Sequence, residues 1–280
     1  MTDAILAAEV AQAAARAGGA VLTRYLRDGG DLDIGYKDAR ANLVTAADRE
    51  SQRAVAETIL TAFPDHAIDG EEGTAGNLDA ADVWYVDPLD GTTNFAHGLP
   101  FCCVSVALRS FAAPGGRGRT VAGAVYDPLH DEMFVAPLGG GATLNGVPIG
   151  VSDIARLDRA LVVTQAQTTV DAEIRAYAAL VERLMSVTGG VRSLGSPALT
   201  LCAIAAGRLE AYCEYTMDAW DILAGQLILA EAGGMLTLFD GRPHDTADRV
   251  DVVASNGYIH ADLIDALRDL ERLTQAPGEH

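Results

Sequence analysis

Basic charge is scarce in this chain. Its 280 residues carry 20 Lys and Arg against 39 Asp and Glu, a formal net charge of -19. No Lys/Arg cluster offsets that field, so the sequence argues against nucleic acid and anionic membrane as partners. Cysteine is also sparse. Cys102, Cys103, Cys202 and Cys213 form no CxxC pair, which argues against a zinc site or a disulfide framework and for inert buried thiols. The N-terminus lacks the basic start and apolar block of a secretory signal, and no stretch is expected to reach the length of a membrane span. Repeats, low-complexity segments and flexible linkers are absent. A soluble protein of a reducing, cytoplasmic compartment is the expectation.

What the chain has is apolar mass: 49% of its residues are hydrophobic, enough for a substantial core. Alanine-rich residues 3–27 predict a helix ending before the turn Asp28-Gly29-Gly30. Residues 45–62 predict a second, begun by Thr45 or Asp48 and stopped by Phe63-Pro64. Strands are expected at His66–Asp69, Val83–Val86 (ended by Pro88), Phe101–Arg109, Thr120–Tyr126 and Glu132–Ala136. Turns separate the last three, with a hairpin loop at Ala113–Gly116, and another turn is expected at Pro137–Gly141. Strands at Ala160–Thr164, Leu209–Tyr215 and Val250–Ser255 then alternate with helices at Ala172–Val187, Ser196–Ala206, Asp221–Ala232 and Ile259–Thr274. This divides the chain into an α+β half, residues 1–147, and an α/β half, residues 148–280, with a site expected between them.

The segment WYVDPLDGTTN, Trp84–Asn94, carries the most information. Asp87 and Asp90 lie three residues apart just past an apolar run, followed by Gly91, Thr92 and Thr93. Carboxylates this close repel unless a cation separates them. Hard oxygen donors favour Mg²⁺ or Mn²⁺ over zinc, and the glycine and threonines offer N–H groups to an anion such as phosphate. Three more acids stand at junctions of apolar elements: Asp48 in LVTAAD, Glu71 in DGEEG and Asp221 in AWDILAG. Singly, Asp48 and Asp221 fit helix caps and Glu71 a solvated turn. Together, in this order, they ask for a common cause.

These four segments resemble the inositol monophosphatase family, within the lithium-sensitive, Mg²⁺-dependent phosphatases. WYVDPLDGTTNF (Trp84–Phe95) and WDILAGQLILAEAGG (Trp220–Gly234) match its two signatures. DGEEG (Asp69–Gly73) and NLVTAAD (Asn42–Asp48) match its glutamate and early segments, and the resemblance runs from about residue 5 to 270. It implies a layered αβαβα sandwich of the inositol monophosphatase and fructose-1,6-bisphosphatase type. It implies a first metal on Glu71, Asp87 and the Leu89 carbonyl, and a second on Asp87, Asp90 and Asp221. A weaker third ion near Glu71 is implied as well. Catalytic roles fall to Glu71, Thr92 and Asp48, with Thr92 bonded to Asp48 and to a water, and with the N–H groups of Gly91 and Thr92 on phosphate. A homodimer and inhibition by lithium are further implications.

The segment Arg192–Glu214 resembles the family's sugar-facing region. Gly195, Ser196, Pro197 and Glu214 are expected at the substrate, beside Leu89, Asp90, Gly91, Thr92 and Asp221. Pro197 replaces a small residue and is expected to reshape the pocket; His97 is expected to be structural or at the rim. The activity implied is hydrolysis of inositol monophosphate to myo-inositol and phosphate. The alternatives are a histidinol-phosphate phosphatase, whose substrate amine could pair with Glu214, and a regulatory binding protein that keeps the fold.

Overall fold

Two sheets and three helical layers alternate in the computed structural model, which describes residues 2–28, 35–36, 43–111, 118–166, 168–244 and 249–270. The elements run α1 (Ala4–Asp28), β1 (Gly35–Tyr36), β2 (Leu43–Val44), α2 (Ala46–Ala62), β3 (Ala67–Gly70), β4 (Gly73–Ala75), β5 (Asp82–Asp90) and α3 (Thr92–Ala96). They continue with β6 (Cys103–Ser110), β7 (Arg119–Asp127), β8 (Glu132–Pro137), β9 (Thr143–Leu144), β10 (Val147–Pro148), β11 (Leu161–Thr164), α4 (Asp171–Val187) and β12 (Gly190–Arg192). The chain closes with α5 (Pro197–Ala205), β13 (Ala211–Met217), α6 (Ala219–Glu231), β14 (Met235–Leu238), β15 (Val250–Ser255) and α7 (His260–Leu267). The larger sheet has the order β10-β9-β8-β7-β6-β5-β3-β4, the smaller β12-β11-β13-β15-β14, and β1 pairs with β2.

Period-two alternation of apolar side chains explains the layering. On β6, Val104, Val106 and Leu108 face one core with Ala7, Ala11, Leu22, Val55 and Ile59 of α1 and α2. Cys103 and Ala107, from the other face of β6, join a second core with α5 and α6. Tyr212 and Ala254 of the smaller sheet reach that second core from the opposite side. Cys213 and Val253 point away, into a third core with Leu180 and Leu184 of α4 and Leu263 and Leu267 of α7. The order is therefore α1/α2, sheet, α5/α6, sheet, α4/α7: the expected αβαβα sandwich. All nine residues of α5 are buried, as a helix enclosed between two sheets requires.

α1 corrects one expectation. By length and composition alone this 25-residue helix is long and apolar enough to cross a membrane, yet half of its apolar 18-residue stretch is buried within the fold. Small residues permit the close approach. A Cβ at Gly18 would stand 2.7 Å from the Ser51 hydroxyl, and one at Gly19 would stand 2.5 Å from the Tyr126 ring.

Thr45, not Asp48, is the N-cap of α2, and its hydroxyl accepts from Ala47 N. Pro88 does not end β5, contrary to expectation. The strand slips register between Asp87 and Asp90 and resumes pairing at Asp90–Cys103, so the proline occupies an irregularity where no ladder N–H is needed. The Leu209–Tyr215 strand lies at Ala211–Met217, with a register shift between Glu214 and Met217. The turn at Pro137–Gly141 is present, closed by Gly140 N donating to Pro137 O at 3.0 Å. Strands β4, β9, β10, β12 and β14 were not foreseen; each has two to four residues, too few for a periodic signal. The closing helix ends at Leu267, short of the expected Thr274. Gly29-Gly30, Ala113–Gly116, Asn42 and residues 271–274, on which other expectations fall, lie outside the described residues.

Candidate active site

A cavity of about 570 Å³ opens where the carboxyl end of β5 meets the N-terminal ends of α5 and α6. Glu71, Asp87, Leu89, Asp90, Gly91, Thr92, Gly195, Pro197, Glu214 and Asp221 all line it. Asp48 and Ser196 do not. They stand behind the lining, each bonded to a residue that faces the cavity.

The β5 irregularity aims the acids. Asp87 Oδ1 accepts from Leu89 N at 2.9 Å, while the Pro88 carbonyl accepts from Ser51 Oγ at 2.8 Å. Asp90 Oδ2 accepts from Ser196 Oγ at 2.6 Å, Ala198 N at 2.7 Å and Cys103 Sγ at 3.6 Å. Asp221 is the third residue of α6, and its Oδ2 accepts from Asp218 N at 2.9 Å in a capping box. Among the described residues, each of these three carboxylates is fixed through one oxygen only. The other oxygen carries no protein hydrogen bond. Asp48 and Asp221 are not the N-caps that the sequence suggested: each is the third helical residue of a capping box, accepting from the N–H of the N-cap, Thr45 or Asp218, through one oxygen.

Glu71 follows β3 in a turn that Gln52 shapes. Gln52 Nε2 donates to Gly73 O at 2.7 Å, its Oε1 accepts from Glu72 N at 3.0 Å, and Glu71 N donates to Val86 O at 3.1 Å. Thr92 Oγ1 lies 3.0 Å from both Asp48 Oδ1 and Leu89 O. Asp48 Oδ2 is held by Thr45 N at 2.7 Å and Thr45 Oγ1 at 2.5 Å. Gly91 sits at φ +94°, and a Cβ there would meet Phe101 O at 2.9 Å; glycine alone turns the chain this tightly from strand to helix. His97 lies outside the cavity lining, with its Nδ1 2.8 Å from Thr93 O.

Electrostatics follow from the packing. Burial, then the charges of Glu71, Asp90 and Asp221, hold the Asp87 carboxyl well above the usual range. Burial and the neighbouring acids do the same to Asp221 and Glu214. Burial pushes Asp90 up to about 7 and Asp48 up to about 6, even against the hydrogen bonds each accepts. The lining contains one cation among the described residues, Arg249. Its Nε donates to Thr216 O at 2.9 Å and lies 3.8 Å from Asp218. Among the described residues, no three Asp, Glu, His or Cys side chains already converge as a metal cage. Asp87, Asp90 and Asp221 instead face the cavity with open oxygens and, among the described residues, no ion pair, a donor set that fits hard divalent cations.

Two residues of the site, Gln52 and Gln165, carried no warning in the sequence, and Asn94 stood inside the Trp84–Asn94 segment with no role assigned to it. Each works through its side-chain amide on a neighbour's backbone.

The sequence profile of the inositol monophosphatase family matches residues 5–272. The chain belongs to that family. An inositol-1-monophosphatase of Synechocystis is 41% identical over 239 residues, 84% of this chain and 79% of the relative. A protein of Pseudomonas aeruginosa named Nus factor SuhB is 36% identical over 253 residues, 88% of this chain and 90% of its own length. The solved structure of inositol monophosphatase from Anabaena (Nostoc) is 39% identical, with a TM-score of 0.82, covering 96% of this chain and 97% of that one. Family membership makes the protein a metal-dependent phosphatase with a small phosphorylated substrate.

Proposed function

We propose that this enzyme hydrolyses inositol monophosphate to myo-inositol and inorganic phosphate, with Mg²⁺ or Mn²⁺ as cofactor. One observation carries the reading: three carboxylates, two buried and one half-buried, are each fixed through one oxygen and leave the other open to a shared cavity. Glu71, Asp87 and the Leu89 carbonyl would hold one ion, and Asp87, Asp90 and Asp221 a second, with a third weaker ion near Glu71. When bound, such ions neutralise the acids, make a water easier to deprotonate and favour departure of the ester oxygen. The same ring of acids would otherwise repel a phosphate, so substrate and cation are expected to bind together.

The chain's own groups supply positioning. Thr92 Oγ1, donating to Asp48 Oδ1, keeps its lone pairs for a hydrogen of the attacking water. Asp48 cannot swing away, because its other oxygen is bound by Thr45. The N–H groups of Gly91 and Thr92 would orient the phosphate oxygens. Water oxygen bonds to phosphorus as the ester P–O bond breaks, and the departing polyol oxygen takes a proton. Glu214, a carboxylate in the opposite wall, suits a donor hydroxyl of the polyol. A reducing cytoplasmic setting, supported by four buried free cysteines, and a homodimeric assembly belong to the same proposal.

The test is phosphate release with Mg²⁺, comparing kcat/KM for myo-inositol 1-phosphate and L-histidinol phosphate. A preference for the inositol ester is expected. A preference for histidinol phosphate would keep the metal chemistry and replace the substrate. A second reading, a binding role, is favoured by the relatives named Nus factor SuhB. Partner capture from an Asp90→Asn variant that has lost turnover would support it.

A further inference from the structure

β11 and β13 are parallel neighbours, with Thr164 opposite Cys213. One step further along both strands lie Gln165 and Glu214, so the register itself sets the amide beside the carboxylate. Gln165 is 6% exposed. Its Oε1 accepts from Gly195 N at 2.7 Å, and a backbone N–H can be paired only with the amide oxygen. The orientation of the amide is thereby fixed, and its NH₂ is left for Glu214, which the register sets beside it in the same cavity wall.

The Gly195 contact is one end of a longer clamp. The same peptide unit offers its carbonyl, Leu194 O, to Asn94 Nδ2 at 2.7 Å. Asn94 also donates to Phe101 O at 2.8 Å. One peptide plane is therefore gripped at its carbonyl from α3 and at its amide from the end of β11. Gly195 holds φ +81°, and a Cβ would meet the Asn94 amide at 2.8 Å. Beyond Gln165, Glu214 Oε2 is buried and lacks a hydrogen-bond partner among the described residues. A buried carboxylate oxygen without a partner, on a residue that lines the cavity, calls for a donor from a ligand.

We propose that Gln165 is a positioning residue for substrate hydroxyls: it fixes Glu214 through one oxygen, presents Oε2 to the hydroxylated part of the substrate, and ties that wall to the Gly195 turn. The inference rests on the polyol-phosphate reading above. It assigns the discrimination between hydroxylated and plain esters to a residue that carries no charge and belongs to no motif.

Two variants separate the parts of the clamp. Gln165→Leu removes both contacts. Gln165→Glu keeps an acceptor for Gly195 N–H and loses the donor to Glu214. Each is assayed with Mg²⁺ on myo-inositol 1-phosphate and on p-nitrophenyl phosphate, which has the phosphate and no polyol. KM for the inositol ester is expected to rise about tenfold in both variants, with kcat changed by less than about threefold. That rise should exceed the rise for p-nitrophenyl phosphate at least about fivefold. Equal changes on the two esters, or a defect in Gln165→Leu that Gln165→Glu fully restores, would show a purely structural residue and overturn the proposal. If either variant fails to fold by its melting curve, the other carries the comparison. Wild-type chain that cleaves neither ester overturns the polyol-phosphate reading first, and the clamp's role with it; that outcome is visible before any variant is assayed.

Discussion

The two walls of the cavity are built on different terms. The wall from β5, α3 and α6 places like charges together and immobilises each through one oxygen, leaving rigid donors that lack a counterion. The wall from β11, β13 and the Arg249 segment mixes uncharged groups, Gln165 and Thr216 among them, with Glu214, Asp251 and Arg249. It contains an amide clamp, a carboxylate with one unpartnered oxygen and a strained backbone. Thr216 sits at φ +61°, a region that β-branched residues avoid. Its N–H donates to Asp251 Oδ1 at 2.8 Å and its carbonyl accepts from Arg249. Preorganised charge suits a reacting phosphate that is the same in every substrate. Hydrogen-bonding groups of mixed charge suit an organic part that must be told from its analogues.

Removing a donor oxygen from the charged wall should have the largest effect. Asp90→Asn, or Asp221→Asn, is expected to lower kcat by roughly two to three orders of magnitude while the fold survives, checked by phosphate release and circular dichroism. Full activity in a folded Asp90→Asn variant would remove the charged wall from the mechanism.

The same wall governs stability against pH when cation is withheld. Asp90 and Asp48 titrate near 7 and 6 in the folded chain and near 4 when unfolded. A raised folded value means that the folded state binds the proton more tightly. The contribution is full below about pH 4 and disappears as pH rises through 6 to 7. Metal-free melting temperature should therefore fall between pH 5 and 8, less steeply in Asp90→Asn. Saturating Mg²⁺ should reverse the loss, by about 2.7 kcal/mol at a hundred times its dissociation constant. A metal-free curve that is flat across this range would contradict the assigned repulsion.

On the mixed wall, Glu214→Gln should raise KM for the inositol ester about tenfold with little change in kcat. A loss of kcat instead would place Glu214 with the reacting phosphate. The smallest effect is expected at Thr216. Among the described residues its hydroxyl bonds only to its neighbour's carbonyl, Tyr215 O, so Thr216→Gly should relieve the backbone and stabilise the chain by about 1 kcal/mol. Calorimetry reads that directly, and an unchanged melting temperature would mean that Asp251 and Arg249 already offset the strain.

The contrast between the walls also decides what was legible beforehand. Asp48, Glu71, Asp87, Asp90 and Asp221 could be read from sequence because acid beside apolar runs is unusual and its spacing is local. Gln165 and Asn94 could not, since their meaning lies in a peptide unit 30 and 100 residues away. Ser196 was assigned to the substrate and instead donates to Asp90 from a fully buried position, a role set by packing between sheets. Long elements such as α1 and β6 were foreseen because periodicity accumulates with length. The end of β5 was misjudged because Pro88 signals a stop, and only the partner strand reveals the slipped register. The αβαβα order followed from the resemblance, but the alternating faces of β6 and β13 explain it.

The central helices carry a consequence for the chain while it is being made. Once β8 leaves the ribosome, one face of the larger sheet has α1 and α2 to cover it. Its other face, with Tyr85, Ala107, Val125 and Phe134, must await α5 and α6. At ~5–20 residues per second that face stays bare for roughly 5–20 s of synthesis. Chains stalled after residue 150 should be cut readily by protease and retained by general chaperones. Chains stalled far enough past residue 231 for α6 to clear the exit tunnel should resist both. The device that welds the two sheets together in the finished enzyme thus makes its nascent form dependent on a timely second half.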